Sequence, residues 1–322
     1  MDMLKSLEET ASLIKQGKLL HVAATEALLK QLPTGNWIGG TTEYFMCHTG
    51  GVVSGEFLFV NELPSEVFTI RSYDTIDIGG FTQEAYDNGF SLIVLPFDSE
   101  IHWHYARYAA SFEDIFFKNV VGWVAGVNLG IPEQTPLAYD GRHGVAYRDK
   151  AVVLHVSLPA ESLVNLGIIN IFTRDASSPL FEFPEDTFTV TTCTIDGRKG
   201  LLADYLRENN IDIQLPLVGD YSGVGINISI KAVVDDVVHL YAPVFQGIEY
   251  HLAESIADYA TEFRRQLEDF GDIQAVFSCN CILNFLYGEL QGKEVGRFIG
   301  PITFGEVAYQ LVNQTLVYVV VQ

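Results

Sequence analysis

Two thiols one residue apart, Cys279-Asn280-Cys281, are the first candidates for chemistry in this chain. On a continuing strand they share a face with Cα atoms about 6.6 Å apart, at roughly 3.3 Å per residue. That is the far edge of what a disulfide spans. Buried small hydrophobes, a pocket wall, and a nucleophile or metal site all fit this pattern, but the last needs partners from elsewhere. The nearest histidines in sequence are His239 and His251. Glu306 follows Gly305, where a glycine turn brings backbone amides close and a carboxylate beside it can accept an ammonium or guanidinium. A carboxylate that braces the turn fits equally. Asn313-Gln314-Thr315 offers amide donors and acceptors at a strand start, and Thr41 and Thr42 stand behind Gly39-Gly40.

Other clusters point less far. His102-Trp103-His104 would chelate only on a strand, because helical neighbours two apart point in opposed directions. The run from Gly219 to Gly225 lacks the lysine of a phosphate loop and reads as a hairpin-bounding loop. Asp140-Gly141-Arg142-His143-Gly144 reads as a turn.

The elements that position these residues follow from periodicity. Leu4, Leu7, Ala11 and Ile14 predict one helix, and Ala24, Leu28, Leu29 and Leu32 a second that stops at Pro33. A third helix is expected from about Ser99 to Lys118, capped by Asp98 or Ser99, with Ile101, Tyr105, Tyr108, Phe112 and Ile115 or Phe116 buried. A short one falls near Gly200 to Asn209. The longest is expected from Leu252 to Phe270, with Glu254, Asp258, Glu262, Arg264 and Glu268 facing water.

Between them lie short β segments, among them Trp37 to Cys47, Ser91 to Leu95, Val120 to Val127, Leu163 to Phe172, Ile273 to Cys279, Arg297 to Ile302 and Leu316 to Val321. A hairpin is expected from Gly225 to Val233 and Val237 to Tyr241, turned at Asp235-Asp236. Strands outnumber helices without regular βαβ alternation, so the fold class is α+β with mixed sheets.

Composition narrows the function. With 48% hydrophobic and 19% charged residues the chain has ample material for a core, which argues against disorder. Its formal charge of −22, with no basic cluster, excludes nucleic acid and disfavours anionic membranes as partners. The N-terminus has no signal-peptide pattern and no stretch is long enough to span a bilayer. Four cysteines are too sparse for a disulfide scaffold, and the cytoplasm is the expected compartment.

The last third carries a resemblance. Val276-Phe277-Ser278-Cys279, then Gly300-Pro301-Ile302-Thr303-Phe304-Gly305-Glu306, then Val312-Asn313-Gln314-Thr315-Leu316, resemble in order and distance the C-terminal module of the FIST family. Residues 187–247 resemble the same module more loosely, and Ile38-Gly39-Gly40-Thr41-Thr42 is similar to its N-terminal module. Where the family has an arginine after the Ser-Cys pair and a histidine before Asn-Gln-Thr, this chain has Ile282 and Val312; Glu43-Tyr44-Phe45 also departs from the pattern.

The resemblance implies a sensory, signal-transducing domain for a small ligand such as an amino acid or derivative, acting with a signalling partner or as a homo-oligomer. It divides the chain into residues 1–180 and 181–322, with a boundary candidate at Asp175 to Asp186. The expected pocket lies between the halves, near Gly39, Gly40, Thr41, Thr42, Ser278, Cys279, Cys281, Thr303, Gly305, Glu306 and Asn313, with no cofactor or metal. Two other readings stay open: a thiol- or carboxylate-dependent hydrolase, and an interaction protein without a small ligand.

Overall fold

The computed structural model describes residues 3–65, 67–131, 133–221, 223–267 and 274–322. Among them, strands build four six-stranded sheets and one three-stranded sheet, with few helices. The fold is α+β with mixed sheets, as the sequence predicts.

One refinement bears on function. Among the described residues three parallel strand pairs occur, each joined through a short helix: Leu20–Ala24 with Trp37–Thr41, Gly89–Pro96 with Val120–Ala125, and Ala275–Cys281 with Gly300–Thr303. Local βαβ crossovers are thus set into otherwise antiparallel sheets. Every strand of these pairs is wholly or largely buried, because each carries side chains on two covered faces.

The two halves share their sheets. Tyr44–Cys47 pairs with Gly300–Thr303, Val120–Ala125 with Glu306–Ala308, and Val164–Ile169 with Leu316–Val321. The largest apolar cluster runs from Tyr44 to Leu316. Sheets and core therefore cross the 180/181 division.

Several helices are shorter than their periodicity suggests. The stripe from Ala24 to Leu32 yields only Glu26–Leu29, because Leu20–Ala24 pairs with strands on both sides. The Ser99 helix ends at Tyr108, tightens into a 3-10 turn over Ala109–Ser111, and cannot continue through Asp114 at φ 55°. Tyr108 and Phe116, expected inside, are 45% and 59% exposed; Ile115 is buried. Tyr250–Leu252 is a strand and the following helix is Tyr259–Leu267; Glu268, Phe270 and Ile273 lie outside the described residues. The run from Gly219 to Gly225 is no loop, since Leu217–Tyr221 and Val224–Ile228 pair through it; Ser222 lies outside the described residues. The hairpin turn at Asp235-Asp236 is present, with Asp235 at φ 50°.

Candidate functional site

Glu306 sits at the junction of the halves and is fully buried. Its Oε1 meets Thr303 Oγ1 at 2.9 Å and its Oε2 meets Thr315 Oγ1 at 2.8 Å, with the Thr315 N–H at 3.4 Å. Burial pushes the carboxyl up to about 8, with the Thr315 and Thr303 contacts holding it back in part. At neutral pH the group is therefore mostly protonated. Its proton has an acceptor in Thr303 Oγ1, which can in turn donate to the Asn280 carbonyl at 3.3 Å. A sealed, neutral carboxyl cannot receive a ligand ammonium, so the sequence expectation for Glu306 is corrected here: it braces the Thr303–Thr315 turn from inside.

Most of the other candidates are also committed to the fold. A side chain at Gly39 would stand 2.1 Å from the Val22 carbonyl, and one at Gly40 would meet Val94, Ala125 and Trp123 at 2.8–2.9 Å. These glycines permit close strand packing. Thr41 Oγ1 accepts the Leu137 N–H, Thr42 Oγ1 donates to the Ile302 carbonyl, and Ser278 Oγ donates to the Ile299 carbonyl. Gly305, at φ +148°, gives its carbonyl to the Val124 N–H. Thr41 and Gly305 each bond to the end of the Val120–Ala125 strand, Thr41 accepting the Gly126 N–H and Gly305 the Val124 N–H. The Phe304 ring packs against Gly126 there, and a cavity stays open beside Thr41, Thr42 and Gly126.

Cys279 and Cys281 are buried and form no disulfide. Burial, and then the nearby Glu306, push both thiols well above the usual range, which leaves them protonated and poor nucleophiles. Cys279 Sγ contacts the Gly122 carbonyl. His251 bonds to Ser178 and His239 lies in register with Thr189 and Ala232, each in another sheet. His102 and His104 do stand on a helix, and His102 is buried against Phe97. Among the described residues no group of three or more His, Cys, Asp or Glu could hold a metal ion.

One opening, a pit of about 190 Å³, is lined by two of the predicted residues, Cys281 and Asn313. It lies where the parallel pairs end: Phe97 follows Gly89–Pro96, Cys281 closes its strand, and Phe304 follows Gly300–Thr303. Crevices at the carboxyl ends of parallel strands are general ligand positions, because strands diverge there into loops. Leu129 and Leu286 form an exposed apolar rim. Lys231, also exposed, holds its ammonium over the rings of Phe97 and Tyr241, 5.7 and 5.9 Å from their centroids.

Asn313 is only 2% exposed, and its Oδ1 has no hydrogen-bond partner among the described groups. Its Nδ2 donates to the Val312 carbonyl, which can only accept, so the amide orientation is set. A buried acceptor left unsatisfied costs about 1–3 kcal/mol unless something fills it.

A second cavity, about 360 Å³, is lined by Thr25, Glu26, Thr41, Thr42, Glu43 and Asn128, with other residues of the same loops. Its buried polar groups already have partners: Glu43 takes Asn128 Nδ2 at 2.8 Å and Gln134 Nε2 at 3.1 Å. The pit is the better candidate for that reason.

Sequence reasoning missed Lys231, Phe97 and Tyr241. Lys231 was hidden in an ordinary hairpin strand, and no local signal ties it to Asn313. The fold and the pit together define an α+β protein with a ligand-sized opening at the ends of its parallel strands. Over residues 5–322 the chain matches a protein family described as a family of unknown function (DUF6976), and it belongs to that family. No curated protein matches it.

Proposed function

We propose that the chain is a small-ligand-binding sensory protein, as the FIST resemblance of its last third implies, with the pit at Cys281 and Asn313 as its ligand site. The observation that carries this reading is the apolar opening at the carboxyl ends of the parallel strands, which presents the Lys231 ammonium over the rings of Phe97 and Tyr241. The volume suits a ligand smaller than the drug-sized molecules that occupy cavities of roughly 300 Å³ and above. Occupancy would join segments from both halves, Phe97 and Leu129 with Lys231 and Leu283, which is how a ligand biases a domain's conformation toward a partner protein or a second copy.

A thiol hydrolase is disfavoured, because burial keeps both thiols protonated and the group hydrogen-bonded to Cys281 is Glu306, a buried carboxyl that is itself shifted upward. Thermal-shift screening of small metabolites against the wild type and Leu286→Trp tests the proposal. Leu286 is 40% exposed, so the larger ring closes the rim without disturbing the core. A stabilising compound whose effect disappears in Leu286→Trp supports the site; stabilisation that persists in the variant moves the site elsewhere.

A further inference from the structure

We propose a second ligand site, separate from the pit: an aromatic groove of about 780 Å³ that takes a lipophilic organic cation. It stands whether or not the pit binds a ligand. The groove opens where three six-stranded sheets end. Val164–Ile169, Val224–Ile228 and Gln310–Val312 are each the last strand of a sheet among the described residues, and each lends side chains to the lining. Phe116, Ile168 and Val224 in that lining are 59%, 37% and 55% exposed. Apolar surface gathered in one concavity marks a binding site, because leaving it in water is unfavourable. The volume falls within the roughly 300–1,000 Å³ of pockets that hold small molecules.

Four aromatic residues set the chemistry. The rings of Phe116 and Tyr309 stand 6.0 Å apart between centroids, and those of Tyr221 and Phe245 stand 6.2 Å apart, edge to face. Both pairs are held in place. Tyr250 Oη accepts the Phe245 N–H at 2.8 Å and bonds to Tyr221 Oη at 3.2 Å. Tyr309 sits at φ 64°, a conformation that a bulky residue rarely takes. It is kept there by Tyr105 Oη on its carbonyl at 2.8 Å and by its own N–H on the Val120 carbonyl at 3.0 Å. Strain of this kind persists only where the surroundings impose it, and here it puts a tyrosine in the groove wall. Aromatic faces attract cations through the ring quadrupole, most strongly where water is excluded.

The charges point the same way. Asp186 is the one charged side chain among the described lining residues. Its Oδ1 accepts the Gln246 N–H at 2.9 Å, and its carboxylate makes no ion pair among the described residues. Arg107, which does not line the groove, donates to the Asp186 main-chain carbonyl at 2.8 Å. An anion in the groove would meet that carboxylate with no basic side chain in the described lining to answer it, and the net charge of −22 repels it further.

The test is calorimetric titration of the full chain, at physiological salt, with tetraphenylphosphonium, tetraphenylborate and triphenylphosphine oxide. The first two share size and shape and differ in the sign of their charge; the third is uncharged. The phosphonium should bind about tenfold or more tightly than either of the others. Asp186→Asn keeps the Gln246 contact and removes the charge, and Phe116→Leu keeps an apolar side chain and removes the ring. Both residues are exposed, so the fold tolerates the changes. Each should weaken the phosphonium by about threefold, and the phosphine oxide by less. Val224→Arg sets a like charge in the groove and should abolish phosphonium binding, whereas Leu286→Trp, at the pit, should not alter it.

Tetraphenylborate or the phosphine oxide binding as tightly as the phosphonium overturns the cation preference. Phosphonium binding that persists in Val224→Arg and disappears in Leu286→Trp moves the cation to the pit and overturns the groove as its site. A wild type that sediments as a dimer while Val224→Arg sediments as a monomer shows a second copy covering the groove, and overturns the small-molecule reading. Absence of phosphonium binding overturns the proposal outright.

Discussion

Glu306 shows how one residue type supports opposite roles until its surroundings are known. Its carboxyl is pushed up to about 8 from an ordinary 4.5, so between those values the folded chain holds a proton that the unfolded chain has released. The contribution to stability is therefore complete below pH 4.5 and is lost as pH rises toward 8, by up to ~5 kcal/mol at about 1.4 kcal/mol per unit. Glu306→Gln removes the titration while keeping the shape. Its carbonyl can take the Thr315 N–H and its NH2 can face Thr303 Oγ1. Urea unfolding across pH should show the variant gaining on the wild type steadily from about pH 5 to pH 8. Equal pH profiles for the two proteins would mean that the carboxyl titrates normally.

At the scale of elements, the short helix Glu100–Tyr108 depends on the residue that caps it, Ser99. Ser99 Oγ accepts the His102 N–H at 3.2 Å and donates to the Pro96 carbonyl at 2.6 Å, fastening the helix to the strand end that precedes the pit. Asp98 just before it sits at φ 57°, a conformation that asparagine and aspartate tolerate better than most residues. Ser99→Ala should lower stability by about 1 kcal/mol, read from the urea midpoint at unchanged slope. Because Phe97 lies within the same turn, ligand affinity should fall as well. A stability loss with affinity unchanged would show that the turn does not position Phe97.

Across the whole molecule, three histidines lie fully buried in different places. His21 packs edge-on against Trp123 and Phe277 with both ring nitrogens unpartnered, His102 packs against Phe97, and His155 meets Ser91 and Tyr73. Burial lowers them to about 3, 4 and 4 from 6.5. Below pH 6.5 the unfolded chain binds protons that the folded chain refuses, so stability is present above 6.5 and lost as pH falls. Three such groups give a slope of up to ~4 kcal/mol per pH unit, opposed down to 4.5 by Glu306 at ~1.4. Stability should therefore decline as pH falls below 6.5, before any of the three folded-state values is reached. His21→Leu should shift that acid transition downward, since it deletes one titration and two unpartnered nitrogens. A midpoint that does not move would show that His21 is protonated in the folded chain.

The amino-acid sequence alone determined the fold class, the helix start at Ser99 and the turn at Asp235-Asp236, because these rest on local periodicity, capping and φ preference; the strand it placed from Ile273 to Cys279 runs on to Cys281. It placed Thr303 and Glu306 in one group, and the two side chains touch; Thr315, the other partner of Glu306, was not in that group. Which groups are sealed and which stay open was decided only by tertiary packing. Glu306 is neutral because strands from both halves bury it, and helices shorten where sheet pairing claims their residues. Lys231 meets the pit because a hairpin strand distant in sequence from Phe97, Cys281 and Asn313 folds against them. Burial and long-range contact are properties of the assembled sheets, and no periodicity within a single segment encodes them.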